Sequence, residues 1–358
     1  MTYKVIQWAT GGVGKAAIEG VQSHPELQLV GCWVHSPEKV GKDAGVIAGI
    51  GEIGVTATNN IDDILALDAD CVIYTPLLPN EDEMVRLLES GKNVVTTCGY
   101  IYPFKSGNVD RLQEACSKGK SVLHGTGIHP GGITELLPMQ LTALSRAVTH
   151  VRAEEFSDIR TYNAPDVVRD IMLFGKKPEE ALASWMVGFL SNGFGQAIYM
   201  IADELGFNLD GEINTINEVA VATSPIDAPI GVIEPGLVAA QRFTFQGCVN
   251  GKPVIEAIVN WFMGDGPFDK PWGFGPEGVR FEIEVTGDPP LKAVYHGFHP
   301  ATVESGLLRN EGIVTPAMHS VNSVPYVCKA QPGIRTYLDL PMICGRAAPH
   351  LLKMGYHS

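Results

Sequence analysis

The sequence predicts an α/β protein: a doubly wound, parallel nucleotide-binding sheet, plus a second α+β domain with a mostly antiparallel sheet. Three observations predict it. Apolar strand-like runs alternate with helical runs over the first third of the chain. A glycine-rich turn joins the first strand to the first helix. Beyond Leu144 the rhythm changes to long runs of alternating polarity.

The elements follow in order. "KVIQWA" at 4–9 is a short apolar strand, and "GVGKAAIEGVQSHP" reads as a helix ending near Pro25. "LQLVGCWV" at 27–34, "DCVIYTP" at 70–76, "NVVTT" at 93–97 and "SVLHGTG" at 121–127 are further strands. Helical runs separate them, and "NEDEMVRLLESGK" carries its acids in the first turn, where they complement the helix dipole. Near-continuous apolar strands separated by helices call for a sheet covered on both faces. A helix is expected over 131–144. "VTHVRAEEFSDI" alternates like a strand of a half-exposed sheet. A helical block follows over 178–205, then strands at 213–223, 237–249, 253–261 and 279–286. The tail is expected to hold a helix ending near Pro332. The expected domains are therefore 1–130 for the nucleotide, 131–310 for substrate and dimerisation, and 311–358 as a segment returning to the first.

The chain has 358 residues, a formal net charge of -14 and a sequence pI near 5.1. That sign repels phosphate backbones and excludes nucleic acid as a partner class. Seven scattered cysteines without C-x-x-C spacing read as thiols of a reducing compartment, so a cytoplasmic location is expected. No apolar run has membrane-spanning length, and no metal-ligand spacing appears.

The turn Ala9, Thr10, Gly11, Gly12, Val13 and Gly14 nearly matches the dinucleotide fingerprint of a Rossmann domain. Gly11 lets a pyrophosphate approach the backbone, and Gly14 lets helix and strand pack closely. Ala9 replaces the first glycine, which is tolerable if its φ stays negative. An NAD site usually carries an acid at the end of the second strand, to hold the ribose hydroxyls. Here Val34, His35 and Ser36 stand there instead. His35, Ser36 and Lys39 are candidates for a 2'-phosphate, so NADP is favoured, with NAD as the alternative. Plain surface charge is the competing reading of Lys39 and Lys42, with Glu38 and Asp43 offsetting them.

Loops at the C-terminal ends of the strands supply the remaining candidates. Thr75 and Pro76 are expected to line the cofactor crevice. Tyr100 and Tyr102, in "TTCGYIYPF", are candidates for the reacting centre, against simple packing. His129 either meets substrate or hydrogen-bonds its own loop. Tyr162 and Asn163, in "SDIRTYNAP", are polar residues leaving a sheet strand. His319 and Asn322 lie on the expected return helix, His319 as a reacting-centre candidate and Asn322 at the cofactor. "NWFMGDGPFDKPWGFG" is expected to cover a crevice or a partner subunit.

"YKVIQWATGGVGKAAI", "HSPEKVGKDAG", "GTGIHPGG…LLP" and "VNSVPYVCKAQPGI" together resemble the dihydrodipicolinate-reductase-like family. The subgroup is that of 2,4-diaminopentanoate dehydrogenase and the native NAD(P)H-dependent amine dehydrogenases. The resemblance implies a homodimer and hydride transfer between a nicotinamide and an imine carbon. It also implies a glutamate in the loop after "VVTT", to handle the amine proton. That loop here, "CGYIYPF", holds no acid. The His-His pair that marks true dihydrodipicolinate reductases is also absent. The expected function is an NAD(P)H-dependent oxidoreductase acting on a small organic substrate at a C=N or C=O carbon, with amine dehydrogenase as one form of it. The alternative is a catalytically inactive nucleotide-responsive or interaction protein on the same fold.

Overall fold

The computed structural model describes residues 2–105, 107–162, 164–296 and 311–351. The chain forms two compact units, one of the residues up to Ile128 with those from Gly312 onward, the other His129–Glu311.

The first unit runs β1 (Tyr3–Trp8), α1 (Gly12–Ser23), β2 (Leu27–Trp33), α2 (Ala44–Ala48), β3 (Ala57–Thr58), α3 (Ile61–Ala66), β4 (Cys71–Tyr74), α4 (Glu81–Glu89), β5 (Asn93–Thr96), α5 (Asp110–Gly119) and β6 (Val122–Gly125). All its strand pairs are parallel, and β1 lies between β2 and β4. The strand order reverses beside β1, and open α/β sheets bind ligands at such a switch point. Every residue of β4 and β6 is buried, as a sheet covered on both faces requires. Asn80 caps α4 by accepting from the N–H groups of Asp82 and Glu83, which keeps the acids in the first turn.

The second unit contains α6 (Leu137–Thr142), β7 (Arg146–Asp158), α7 (Pro165–Asp170), α8 (Pro178–Leu182), α9 (Trp185–Leu205), β8 (Asn214–Val221), β9 (Ile226–Ala228), β10 (Gly231–Ile233), β11 (Val238–Val249), β12 (Lys252–Phe262), β13 (Arg280–Asp288) and β14 (Leu291–Tyr295). Its main sheet has the order β14-β13-β7-β12-β11-β8, antiparallel except where β7 and β12 run together. The alternation in β7 sorts its side chains. Val151 and Ala153 join a core with Phe194, Ile198 and Ile201 of α9. Arg152 on the opposite face bridges to Glu282 at 3.5 Å and Glu284 at 3.1 Å.

The chain then returns to the first unit through α10 (Glu311–Val327) and β15 (Gly333–Ile334), which pairs with β6. Ile313, Ala317, Val321, Val324 and Val327 of α10 share a core with Val5, Ala17 and Val21. The contact with α1 is close because Gly20 has no side chain. A Cβ there would lie 2.1 Å from Met318 Cε.

Three details depart from the sequence reading. The expected helix over 131–144 opens as a π-helical turn, Gly132–Leu136, before α6. There the carboxylate of Glu135 folds back to accept the Gly131 N–H at 3.0 Å. The tail helix stops at Val327, short of Pro332. The pair β9–β10 was not anticipated, because each strand has only three residues. Within the aromatic stretch at 260–275, Phe262 and Phe274 bury against Ala220 and Ala240.

Candidate active site

The glycine turn is built by backbone. Ala9 adopts φ 71°, the left-handed conformation that glycine takes without strain. The expectation of a negative φ is thus corrected: the alanine fills the glycine's conformation rather than avoiding it. Gln7, unforeseen in the sequence, holds the turn in place. Its Nε2 donates to the carbonyls of Trp8 at 3.0 Å and Ala9 at 2.9 Å, and to Thr75 Oγ1 at 2.8 Å. Thr75 therefore braces the turn. A Cβ on Gly14 would lie 2.2 Å from the Ala9 carbonyl oxygen, so that glycine is structural. Gly11 differs. Its φ is -71° and nothing lies within 4 Å of where its Cβ would stand. Among the described residues no side chain caps α1, and no acid sits in its first turn, so its first N–H groups are open to an anion. Gly12 borders Ile313, whose Cδ1 lies 3.0 Å from the added Cβ position. These features fit a dinucleotide pyrophosphate over Gly11–Gly14.

At the end of β2, Trp33 stacks on Trp8 with ring centroids 4.3 Å apart, and the exposed His35 ring lies 6.2 Å from Trp33. Lys39 reaches back over the turn. Its Nζ donates to Thr10 O at 3.3 Å and Thr10 Oγ1 at 3.2 Å. Asp43 does not offset it. The Asp43 carboxylate accepts five backbone N–H groups, from Gly45, Val46, Ile53, Gly54 and Val55. Ser36 is half-buried at the start of the short 3-10 turn carrying Lys39.

The loop after β5 turns sharply through Tyr100, at φ 61°. It lies against β6: a Cβ on Gly125 would stand 2.3 Å from Gly99 O. Tyr100 is half-buried, and burial pushes its phenol up. Tyr102 meets Phe104 edge-on at 5.4 Å. Pro76 offers its carbonyl to Cys98 Sγ at 3.1 Å. On α10, His319 Nδ1 donates to Gly127 O at 2.8 Å. A carbonyl only accepts, so Nδ1 carries the proton and Nε2 keeps its lone pair. Burial lowers the His319 pKa, so the ring is neutral at pH 7. Tyr337, which no sequence signal marked, stacks on His319 at 5.5 Å and shares a hydrogen bond with Thr126 Oγ1 at 2.8 Å. Asn322 lies one turn further along α10 and faces Gly345, its Nδ2 3.7 Å from an added Cβ there. No contact joins it to the glycine turn among the described residues.

In the second unit, both ring nitrogens of His129 are engaged. Nε2 donates to Ile258 O at 3.2 Å, and Nδ1 accepts from Thr134 Oγ1 at 2.7 Å. The ring packs edge-on to Phe194, and burial lowers its pKa to about 4. Its position is that of a brace between its loop and β12. Tyr162 follows β7 and packs on the α9 side of the sheet. Burial, then the charge of Glu155, raises its pKa. Asn163 lies outside the described residues. Glu155 accepts from Ser157 Oγ at 2.6 Å and Trp261 Nε1 at 3.0 Å. The sequence reading overlooked Glu155, because alternating acids on a strand look like a solvated face.

A dihydrodipicolinate reductase N-terminal model matches residues 5–126, and a 2,4-diaminopentanoate dehydrogenase C-terminal model matches residues 133–260. An amine dehydrogenase of Streptomyces virginiae is 30% identical over 351 residues, 94% of this chain and 96% of its own. The chain belongs to this dihydrodipicolinate-reductase-like, amine dehydrogenase family. A 2,4-diaminopentanoate dehydrogenase of Acetoanaerobium sticklandii is 29% identical over 273 residues, covering 73% of this chain and 70% of its own. The structure of an amine dehydrogenase from Mycobacterium smegmatis superposes with a TM-score of 0.76 at 20% identity, over 97% of this chain and 98% of that one. The family member described here is an NAD(P)-dependent oxidoreductase of small organic molecules. Its Rossmann unit carries the glycine turn, Lys39, the tyrosine loop and His319. Its second unit carries His129, Tyr162 and Glu155.

Proposed function

We propose that the protein is an NADPH-preferring amine dehydrogenase, interconverting a small primary amine with the corresponding carbonyl compound and ammonia. The observation that carries the amine reading is the end-to-end likeness to an amine dehydrogenase at 30% identity. The cofactor preference is supported by Lys39, whose ammonium lies at Thr10 on the rim of the glycine turn, and by the lack of an acid at Val34, His35 and Ser36.

In this reading Gly11, Gly12, Val13 and the N-terminus of α1 hold the pyrophosphate, while Ser36 and Lys39 hold the 2'-phosphate. The bound nicotinamide supplies or accepts the hydride. His319 offers Nε2 as a neutral acceptor for a substrate N–H or O–H. Tyr100 and Tyr102 orient substrate or water. Burial raises the Tyr100 phenol above its ordinary value, so it does not act as an anionic base at neutral pH. The family resemblance further supports a cytoplasmic homodimer, which light scattering tests for its oligomeric state.

Initial rates on a carbonyl panel test the activity. The reading expects NADPH oxidation that requires ammonia and runs at least about tenfold more efficiently than with NADH, equivalent to about 1.4 kcal/mol. Reduction that proceeds without ammonia and yields alcohols would replace it with a carbonyl reductase. Tyr102→Phe is expected to lower turnover while leaving NADPH affinity nearly intact.

A further inference from the structure

Ala9 stands at φ 71°, where an L side chain is strained and glycine is not. Its backbone is pinned on both sides. The Ala9 N–H donates to Trp33 O at 2.9 Å, and the Ala9 carbonyl accepts from Gln7 Nε2 at 2.9 Å. Gln7 lies on β1 and is 1% exposed. Its amide nitrogen has two hydrogens and meets three oxygens, those of the Trp8 and Ala9 carbonyls and the Thr75 hydroxyl. The Thr75 hydroxyl in turn donates to the Trp8 carbonyl at 3.3 Å, so its oxygen is free to accept from Gln7. Carbonyls only accept, so the amide must face the turn with its nitrogen; reversed, its oxygen would oppose two carbonyls. Gln7 Oε1 is buried and has no partner among the described residues. An unmade buried acceptor is costly, so an amide that only filled space would be replaced to advantage by an apolar side chain. The donors are therefore the reason for the residue, and all of them go to the turn. Fixing the Ala9 carbonyl also fixes the direction of the Thr10 N–H, which a trans peptide sets on the opposite side.

We propose that Gln7, with Thr75, is a positioning residue for the dinucleotide: it holds Ala9 in a glycine's conformation and so keeps the turn in its pyrophosphate-binding shape. The clamp is what allows an alanine at the first fingerprint position. Gln7 is buried and acts through the backbone of the turn. Without its donors, Ala9 relaxes to a negative φ in part of the molecules, and apparent affinity falls with the fraction that keeps the binding shape. Pyrophosphate is common to NADPH and NADH, so both lose equally, unlike a change at Lys39. Glycine at position 9 takes a positive φ without strain, so it makes the clamp dispensable. An amide that merely stabilised the fold would give no such rescue. The inference rests on the nicotinamide cofactor and is independent of the amine reading.

The test is fluorescence titration of the full-length protein with NADPH and, separately, with NADH. Gln7→Met keeps the length of the side chain without its donors and is expected to lose at least about fivefold in affinity for both cofactors, with their ratio unchanged within about twofold. Adding Ala9→Gly to that variant is expected to restore at least about half of the loss on a logarithmic scale, while Ala9→Gly alone stays within about twofold of wild type. A smaller loss in Gln7→Met, or unequal losses for the two cofactors, overturns the proposal. So does a loss that Ala9→Gly leaves in place. If Gln7→Met does not fold, the double variant carries the test: folding with NADPH affinity within about tenfold of wild type upholds the clamp. A double variant that fails to fold, or that binds more weakly than this, overturns it, because the amide then does more than hold Ala9. No saturable binding of either cofactor to wild type would remove the nucleotide site itself and the proposal with it.

Discussion

The glycine turn of the first unit and the Glu155 cluster of the second use opposite materials. The turn is backbone: a left-handed alanine, an open Gly11, a crowded Gly14 and the uncapped start of α1. The cluster is side chain: a carboxylate on β7, a hydroxyl two residues on, an indole from β12 and a phenol beyond the strand. A backbone site is written in consecutive residues and tolerates little change of conformation. A side-chain site is assembled from distant stretches and carries its tension in charge.

The largest effect should come from Gly14→Ala. The new methyl would lie 2.2 Å from the Ala9 carbonyl oxygen, with Gln7 Nε2 also within 3.0 Å. We expect a loss of about 3 kcal/mol or more, read as a collapse of the thermal transition. A melting temperature within a degree of wild type would break the claim that this glycine is structural. Gly11→Ala sharpens the contrast. Its φ of -71° suits alanine and its surroundings are open, so the fold should survive while nucleotide affinity falls.

Glu155→Gln probes the charge side of the comparison. The folded pKa, about 7, lies above the ordinary carboxyl value of 4.5. The folded protein therefore holds this proton more tightly than the unfolded chain. The stability from the protonated acid is full below about pH 4.5 and is lost as pH rises toward 7. At pH 8 the ionised group should cost up to about 3 kcal/mol, since each pKa unit is about 1.4 kcal/mol. The glutamine variant should thus be more stable than wild type at pH 8 and equal to it near pH 4, by denaturant titration at both. Equal stability at both would mean that Glu155 is not strained by its burial. Smaller again is Lys39→Ala, expected to weaken NADPH binding by about tenfold, or about 1.4 kcal/mol, and NADH binding hardly at all. Equal losses for both cofactors would remove Lys39 from the 2'-phosphate. Smallest is Ala9→Gly. It relieves a positive φ but frees the unfolded chain, so a gain of at most about 1 kcal/mol is expected.

The same contrast explains what was legible in the sequence. Strand–turn–helix order, apolar runs and the missing acid after β2 are local patterns, and they pointed to the Rossmann unit and to Lys39. Gln7 and Thr75 were not readable as a clamp, because their partnership spans 68 positions. Tyr337 meets Thr126 across 211 positions. His129 drew attention as a histidine in a glycine-rich loop, but only three dimensions show both its nitrogens occupied. Glu155 sat in "RAEEFSD", where one acid joins an ion-pair face and its neighbour turns toward aromatics. Alternation gives the two faces but does not say which one lacks a counter-charge.

The central claim is that this chain oxidises a primary amine with NADP as acceptor. The most direct measurement is NADPH formation, followed by its absorbance, as C2–C6 primary amines are added to wild-type protein and NADP+. The account predicts amine-dependent NADPH formation that reverses when the carbonyl product and ammonia are supplied together. Firm NADP+ binding with no amine-dependent reduction, alongside ammonia-independent conversion of the same carbonyl compounds to alcohols, would contradict it.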